Sequence, residues 1–439
     1  MSTPPKSKRV LSGMRPTGRL QIGNYFGALQ NWVRLQDDPS YDCFYFVADW
    51  HALTSDYADT SAIAENTLQV AIDFLAAGLD PQKSVIFLQS QIPEHAELHL
   101  LLSMITPLGW LERVPTYKEA LDNIKDKDLH TYGFLGYPTL QTADIVIYSD
   151  PGKPLIVPVG EDQVAHVEMS RELVRRFNFF YGLTISDQLR GKDPLMRTYI
   201  ARIAGVFKDQ ELNLPPTAFP LDDDTWLAYC SRFKFRVSEI GFENAANLLK
   251  AAQIPEGLFP IQQILTEPDH LLTPTPRVPG LDGRKMSKSY GNAITLSESD
   301  ADIRSKTKVM ITDPKRKRRT DPGEPSDCPV YDWHKLFSTP ERDPGRLDWV
   351  QQGCRTAGIG CIECKAAMAE NLIKWIEPIR ARRLDYEQHP KRVLEILDQG
   401  SAKARQSAQQ TMSRVRESIF HWDQKKKEVG FSINKDTGS

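Results

Sequence analysis

Short apolar runs alternate along this chain with longer segments in which apolar positions return every three or four residues. The first run, Arg9 to Gly13, ends in glycine and leads into MRPTGRLQIGN. GALQNWVRLQ then has helical spacing, CFYFVADWHAL has the unbroken apolar character of a buried parallel strand, 62–77 is helical again, and Ser84–Ser90 reads as another strand. ADIVIYSD and PLIVPVG add a helix end and a strand, and HVEMSRELVRRF a further helix. Strand, helix, strand in this rhythm predicts an α/β fold with a parallel sheet and right-handed crossovers.

Near Gly182 the rhythm breaks. From 185 to 274 the chain is rich in Pro and Asp with mixed helical fragments, ENAANLLKAAQ being the clearest, and it groups no chemistry. This range reads as a structural insertion between a first domain, 1–184, and a loop region, 275–310. From 311 to 439 the pattern is mostly helical, with amphipathic spacing in AMAENLIKWIEPIRARRLDYE and SAKARQSAQQTMSRVRESI before a polar tail. No internal repeat of fixed period is present.

Composition changes this picture little. At 439 residues, with 40% hydrophobic and 26% charged positions, the chain has the profile of a globular protein with a sizeable core. No apolar run spans a bilayer and the N-terminal residues lack an apolar signal core, so the expectation is a cytoplasmic protein without a membrane partner. A formal net charge of −2 does not exclude a nucleic-acid partner, because binding depends on where lysine and arginine cluster.

Two segments suggest phosphate chemistry. Gly13-Met14-Arg15-Pro16-Thr17-Gly18 is followed by Gln21-Ile22-Gly23-Asn24 opening a helix. Glycines after a first strand let backbone approach a ligand, and a helix N-terminus offers free N–H groups, although a plain strand-to-helix turn has the same glycines. Gly283-Arg284-Lys285-Met286-Ser287-Lys288-Ser289 is more specific. Two lysines three apart in a Gly-flanked loop can both face one pyrophosphate and neutralise charge as it leaves; the bland alternative is a solvated basic loop.

KMSKS resembles the second signature of class I aminoacyl-tRNA synthetases, and Gln21-Ile22-Gly23-Asn24 resembles a variant of the first, HIGH. Asp49-Trp50-His51-Ala52, Glu112-Arg113 with Tyr117-Lys118, the segment Tyr137 to Asp144 and the segment Val157 to Gln163 then match the bacterial-type tryptophanyl-tRNA synthetase family in order. The resemblance implies a Rossmann-like catalytic domain and a C-terminal helical anticodon-binding domain. It implies a tryptophan pocket in which Asp144 accepts the indole N–H, Tyr137, Gln141 and Gln163 hold the ammonium and carboxylate, Val157 and Val159 pack on the ring, and His51 belongs to the same pocket. It implies ATP contacts at Pro16, Thr17, Gly23, Asn24, Gly160, Glu161, Asp162, Val278, Met286, Ser287 and Ser289, and phosphate contacts at Lys118, Lys285 and Lys288, with Mg²⁺ accompanying ATP. Arg15, where many members carry glutamine, could reach the α-phosphate or point to solvent. The partners implied are L-tryptophan, ATP, tRNA(Trp) and a second copy of the chain.

The physical demands of that substrate agree. Indole is large and apolar with one donor, so its pocket needs an apolar slot and one buried acceptor, which a competitor without the N–H would leave unpaired. Two other readings stand beside this one: a tyrosyl-type synthetase, whose members usually have serine where this chain has Glu161, and a synthetase-like RNA-binding module without catalysis.

Six cysteines are too few for a disulfide scaffold. Cys43 and Cys230 stand alone, while Cys328, Cys354, Cys361 and Cys364 fall within 37 residues as C-x25-C-x6-C-x2-C. A CxxC pair with two more cysteines reads first as metal binding, and glycines at 353, 358 and 360 let the backbone wrap closely. A subgroup of the same family carries a [4Fe–4S] cluster on a similar pattern whose first gap is three residues shorter. Zinc or unligated thiols are the alternatives. The run Lys315 to Arg319 is a solvated loop on its own; in a tRNA ligase it is expected to meet phosphates. His166, His270, His334, His389 and His421 read as surface or satisfied core residues.

Overall fold

The computed structural model describes residues 7–114, 117–118, 128–272, 278–287 and 290–431, excepting the side chains of 242 and 243. At its centre is a five-stranded parallel sheet of β1 (Lys8–Met14), β2 (Tyr41–Val47), β3 (Val85–Leu88), β4 (Leu155–Val159) and β5 (Pro268–Leu272), in the order β3-β2-β1-β4-β5. Val10 lies opposite Cys43, Phe46 opposite Phe87, and Val157 opposite His270. The parallel α/β expectation is met. Both faces are covered, which is why the strands carry apolar residues on both sides.

The boundaries differ from the sequence reading in two places. β5 falls inside 185–274, the range read as an insertion. Ile264 and Leu265 already belong to the core beneath the sheet, whereas the buried side chains from Phe179 to Phe259 form a core of their own. The inserted body therefore closes before the fifth strand. PDHLL escaped because an edge strand tolerates a leading proline and outward polar residues.

The second difference concerns the C-terminal helices, which do not form a separate domain. Met368, Leu372, Ile376, Val393 and Leu397 share one core with Val10, Tyr45 and Ile86, and Ala404, Ala408 and Met412 share the other with Leu11 and Phe44. Helix Pro390–Phe420 lies directly on β3: a Cβ on Gly400 would come within 1.8 Å of the Ile86 carbonyl oxygen. It thereby covers the β3 edge, which would otherwise offer unpaired backbone groups. Among the described residues, no helix is long and apolar enough to cross a membrane.

Candidate active site

A cleft of about 500 Å³ opens at the carboxyl ends of β1 and β4, where the strand order reverses. In an open α/β sheet this is where ligands bind, because two crossovers leave in opposite directions and part the loops. Its walls include Arg15, His51, Tyr137, Gln141, Asp144, Val157, Val159, Gly160 and Gln163, so all seven residues expected to surround tryptophan share one cavity. The local reasons are simple. Tyr137, Gln141 and Asp144 lie four and three apart on helix Tyr137–Val146 and so face one way. Val157 and Val159 alternate on β4 and share a face. Phe46 and Phe134 add apolar wall.

Asp144 is at the floor of the cleft, only 2% exposed. Its Oδ1 accepts Gln89 Nε2 at 2.7 Å and His95 Nδ1 at 2.6 Å, and its Oδ2 accepts His51 Nε2 at 2.8 Å. Burial pushes its carboxyl upward, but the hydrogen bonds and charges of His51 and His95 outweigh this and hold it down at about 2. Two of the three donors are themselves fixed. Gln89 Oε1 accepts the Trp50 N–H at 3.0 Å, which turns the Gln89 NH₂ toward Asp144. His95 Nε2 lies 2.7 Å from Tyr148 Oη, whose proton burial retains. Because the carboxylate can only accept, Nδ1–H of His95 must donate to it. A carboxylate has about four acceptor places, and three are filled. The place left, on Oδ2, takes a donor only.

Gln89, His95 and Tyr148 were missed from the sequence. A signal existed: Gln89 directly follows β3, and polar residues just past a buried strand's carboxyl end line such sites. His166, read as a surface or satisfied core residue, is buried; it also lines the cleft and lies 2.8 Å from Tyr137 Oη, with burial lowering its pKa.

The nucleotide-side residues fall into three groups. Gly160 lines the cleft, with Glu161 and Asp162 exposed at its rim. Arg15 also lines it, its guanidinium donating to Ser55 Oγ at 2.6 Å and facing Asp56 at 3.8 Å, while Pro16 and Thr17 follow in the turn after β1. The two signature segments meet each other: Gln21 Nε2 donates to the Met286 carbonyl at 3.2 Å, and a Cβ on Gly23 would lie 3.6 Å from Met286 Sδ. Asn24 Oδ1 accepts the Gln21 N–H at 3.0 Å, so its side chain caps the first turn. The Met286 side chain is buried in the core, and Val278 packs against that core as well. Asn292, unforeseen, pins the loop: its amide donates to Asp282 at 2.7 Å and to the Lys285 carbonyl at 3.2 Å, and its Oδ1 accepts the Ser287 N–H at 2.7 Å. Lys285 is exposed beside it, and Lys118 is exposed one residue beyond Tyr117, whose ring meets Phe134. Lys288 and Ser289 lie outside the described residues.

The four clustered cysteines line one small cavity with Arg316, Tyr331 and Ile359. Cys43 is buried in the sheet and Cys230 sits in the insertion, away from it. Wrapping is tight: a Cβ on Gly323 would lie 2.8 Å from Cys354 Sγ, and one on Gly353 2.7 Å from Ile359. Burial, then the other three cysteines, pushes the Cys364 thiol up to about 12. Among the described residues, no group of three or more His, Cys, Asp or Glu is drawn together closely enough to hold a single metal ion. His334, fully buried, has Nε2 3.4 Å from Cys364 Sγ.

The basic run is divided in its roles: only Arg316 is buried, and the other four residues are exposed. Arg316 is buried and donates to the Ile359 carbonyl at 2.6 Å and to Cys354 Sγ at 3.7 Å, while Arg319 donates to the Ala357 and Gly358 carbonyls. Lys315 pairs with Asp327, leaving Lys317 and Arg318 to solvent. Two arginines three apart reach the cysteine loop's carbonyls, which charge density along the sequence does not reveal.

Residues 4–206 and 240–377 match the family described as tRNA synthetases class I (W and Y), with the gap falling inside the insertion. The tryptophan–tRNA ligase of Ralstonia nicotianae is 46% identical over 412 residues, covering 94% of this chain and 98% of its own. That of Thermotoga maritima is 40% identical over 411 residues, again with 94% and 98% covered. Among solved structures, the tryptophanyl-tRNA synthetase of Campylobacter jejuni complexed with ADP and tryptophan superposes with a TM-score of 0.66 at 28% identity, covering 94% of this chain and 99% of that one.

Proposed function

The chain belongs to the class I tRNA synthetases that serve tryptophan and tyrosine and works as a tryptophan–tRNA ligase, and we propose that its cleft between β1 and β4 is where tryptophan meets ATP. The observation that carries this reading is the single donor-accepting place left on Asp144 at the floor of an apolar slot. An indole N–H fits it. Val157, Val159 and Phe46 face the ring, and Tyr137, Gln141 and Gln163 line the wall where ammonium and carboxylate lie. Gly160, Glu161 and Asp162 serve the ribose and adenine side with Val278, and Pro16, Thr17, Gly23 and Asn24 form the floor under the phosphates.

The reaction needs no protein nucleophile. A tryptophan carboxylate oxygen attacks the α-phosphorus of ATP, the bond to the β-phosphate oxygen breaks, and pyrophosphate leaves. The terminal ribose hydroxyl of tRNA(Trp) then takes the acyl group from the adenylate and AMP departs. Catalysis is positioning together with neutralisation of phosphate charge by Lys118, Lys285, Lys288 and, at the α-phosphate, Arg15. Main-chain groups of Met286 and Ser287 belong to the same loop, Ser289 is a further ATP contact in this proposal, and Mg²⁺ enters bound to the ATP phosphates. Pyrophosphate exchange measured with each of the twenty amino acids tests the reading: tryptophan alone should support it, and preference for tyrosine would overturn it.

Lys285→Ala should lower the exchange rate by about a hundredfold, the scale for losing one preorganised charge-stabilising group, while KM for tryptophan stays nearly constant. A raised KM for tryptophan at an unchanged rate would remove Lys285 from this role.

The four thiolates Cys328, Cys354, Cys361 and Cys364 hold a [4Fe–4S] centre in this proposal, with zinc as the alternative occupant. Support comes from their shared cavity, the close wrapping by Gly323 and Gly353, and Arg316, whose positive charge beside Cys354 suits an anionic centre. Such a centre, held by these four thiolates, would tie together the loops around helix Cys361–Gln388. Serine at any of these four positions should abolish iron and sulfide retention in anaerobically purified protein, and Cys43→Ser or Cys230→Ser should not. One zinc per chain and no iron would move the site to zinc.

The dimer expectation is also retained. Leu100, Met104, Leu108 and Tyr132 are large apolar side chains more than half exposed, as a surface covered by a second copy would be. Sedimentation equilibrium at micromolar concentration should give twice the chain mass.

A further inference from the structure

We propose that His95 is a positioning residue for amino-acid selection, fixing Asp144 so that its one open acceptor place faces the indole N–H. The inference rests on the reading of Asp144 as the indole acceptor and goes beyond it to the group that orients it.

His95 is fully buried and does not line the cleft, so it reaches a ligand only through Asp144. It opens helix Glu94–Ser103, packed against helix Tyr137–Val146, which carries Asp144. Its ring spans Asp144 Oδ1 at 2.6 Å and Tyr148 Oη at 2.7 Å, and it packs among Phe46, Phe87 and Tyr148. Each polar atom of the ring thus has one partner and one direction.

The consequence is selective. Gln89 and His95 together fill Oδ1, so the carboxylate cannot turn that oxygen toward the ligand. Only Oδ2 remains, and His51 takes one of its two places. Without the His95 donor, Oδ1 regains a free place and the carboxylate can rotate. The floor of the cleft would then no longer present one acceptor at one angle, and an aromatic amino acid without the N–H would be rejected less strongly.

Side-chain geometry provides the test. Asparagine puts its amide nitrogen close to where histidine has Nδ1, and glutamine puts its own close to Nε2. His95→Asn therefore keeps the donor to Asp144, whereas His95→Gln keeps volume and the Tyr148 partner and loses that donor. In pyrophosphate exchange, His95→Gln should raise KM for tryptophan by roughly tenfold to a hundredfold, the scale of a hydrogen bond to a charged group, with KM for ATP unchanged. It should also narrow the preference for tryptophan over its benzothiophene analogue, which has sulfur in place of N–H. His95→Asn should stay within about threefold of the parent on both measures. Thermal unfolding identifies any variant that fails to fold, and the Asn–Gln contrast is read only between folded proteins; if glutamine does not fold, His95→Met takes its place with the same expectation.

Equal loss in the asparagine and glutamine variants would mean that His95 acts by packing, and an unchanged analogue preference in His95→Gln would also overturn the proposal. Asp144→Asn separates the underlying reading. If it leaves the analogue preference intact, Asp144 does not accept the indole, and the fault lies there rather than with His95.

Discussion

Asp144→Asn should lower kcat/KM for tryptophan by about a hundredfold, one charged hydrogen bond of roughly 2–3 kcal/mol, while KM for ATP changes by less than about threefold. Asparagine is nearly isosteric, but one end of it must become a donor. With its NH₂ at the Oδ1 position it faces two donors, Gln89 and His95; at the Oδ2 position it faces only His51. The amide therefore settles with its NH₂ toward the cleft, where it meets the indole N–H donor to donor. Asp144→Ala is a less clean test. It strands three buried donors at about 1–3 kcal/mol each, so folding and binding fall together. Equal loss of ATP affinity in Asp144→Asn would show that this carboxylate belongs to neither substrate alone.

Much of this site was legible because helix and strand periodicity place it. Tyr137, Gln141 and Asp144 have helical spacing, Val157 and Val159 have strand spacing, and both patterns are visible without coordinates. What surrounds Asp144 was not legible. Gln89 follows β3 and His95 lies on the helix after it, while Tyr148 sits in the turn that ends the helix of Asp144; they meet only after the sheet has brought β3 beside β2. Asn292 escaped for the same reason, since its role depends on a loop closing back on itself. Charge density along the sequence does not say which basic groups turn inward: Arg316 and Arg319 bond backbone carbonyls, while Lys317 and Arg318 face solvent. The C-terminal boundary failed through a similar limit. Amphipathic spacing shows that a helix has an apolar face, and it does not say which surface that face covers.

That covered surface leads to the largest expected effect on stability. Helix Cys361–Gln388 begins at two of the clustered cysteines and, near its other end, places Arg383 against Asp73 on helix Ile63–Ala77. The pair is buried, with side chains 2% and 0% exposed. Arg383 also donates to Gln69 and, at 3.0 Å, to Glu387, while Asp73 Oδ2 accepts the Leu20 N–H at 2.6 Å, the residue just before Gln21-Ile22-Gly23-Asn24. Arg383→Ala should destabilise the protein by about 3–5 kcal/mol, because it removes one partner of a buried ion pair. The chain before the first signature segment should loosen with it, raising KM for ATP several-fold more than KM for tryptophan. A compensating double substitution, Arg383→Met with Asp73→Leu, removes both charges and should recover most of the stability. It should not recover all of it, since the Leu20 N–H loses its acceptor. Urea unfolding followed by tryptophan fluorescence measures the first effect, and pyrophosphate exchange at varied ATP measures the second. A loss below about 1 kcal/mol for Arg383→Ala, the level of a solvated surface pair, would show that water reaches this junction and that helix Cys361–Gln388 is not anchored there.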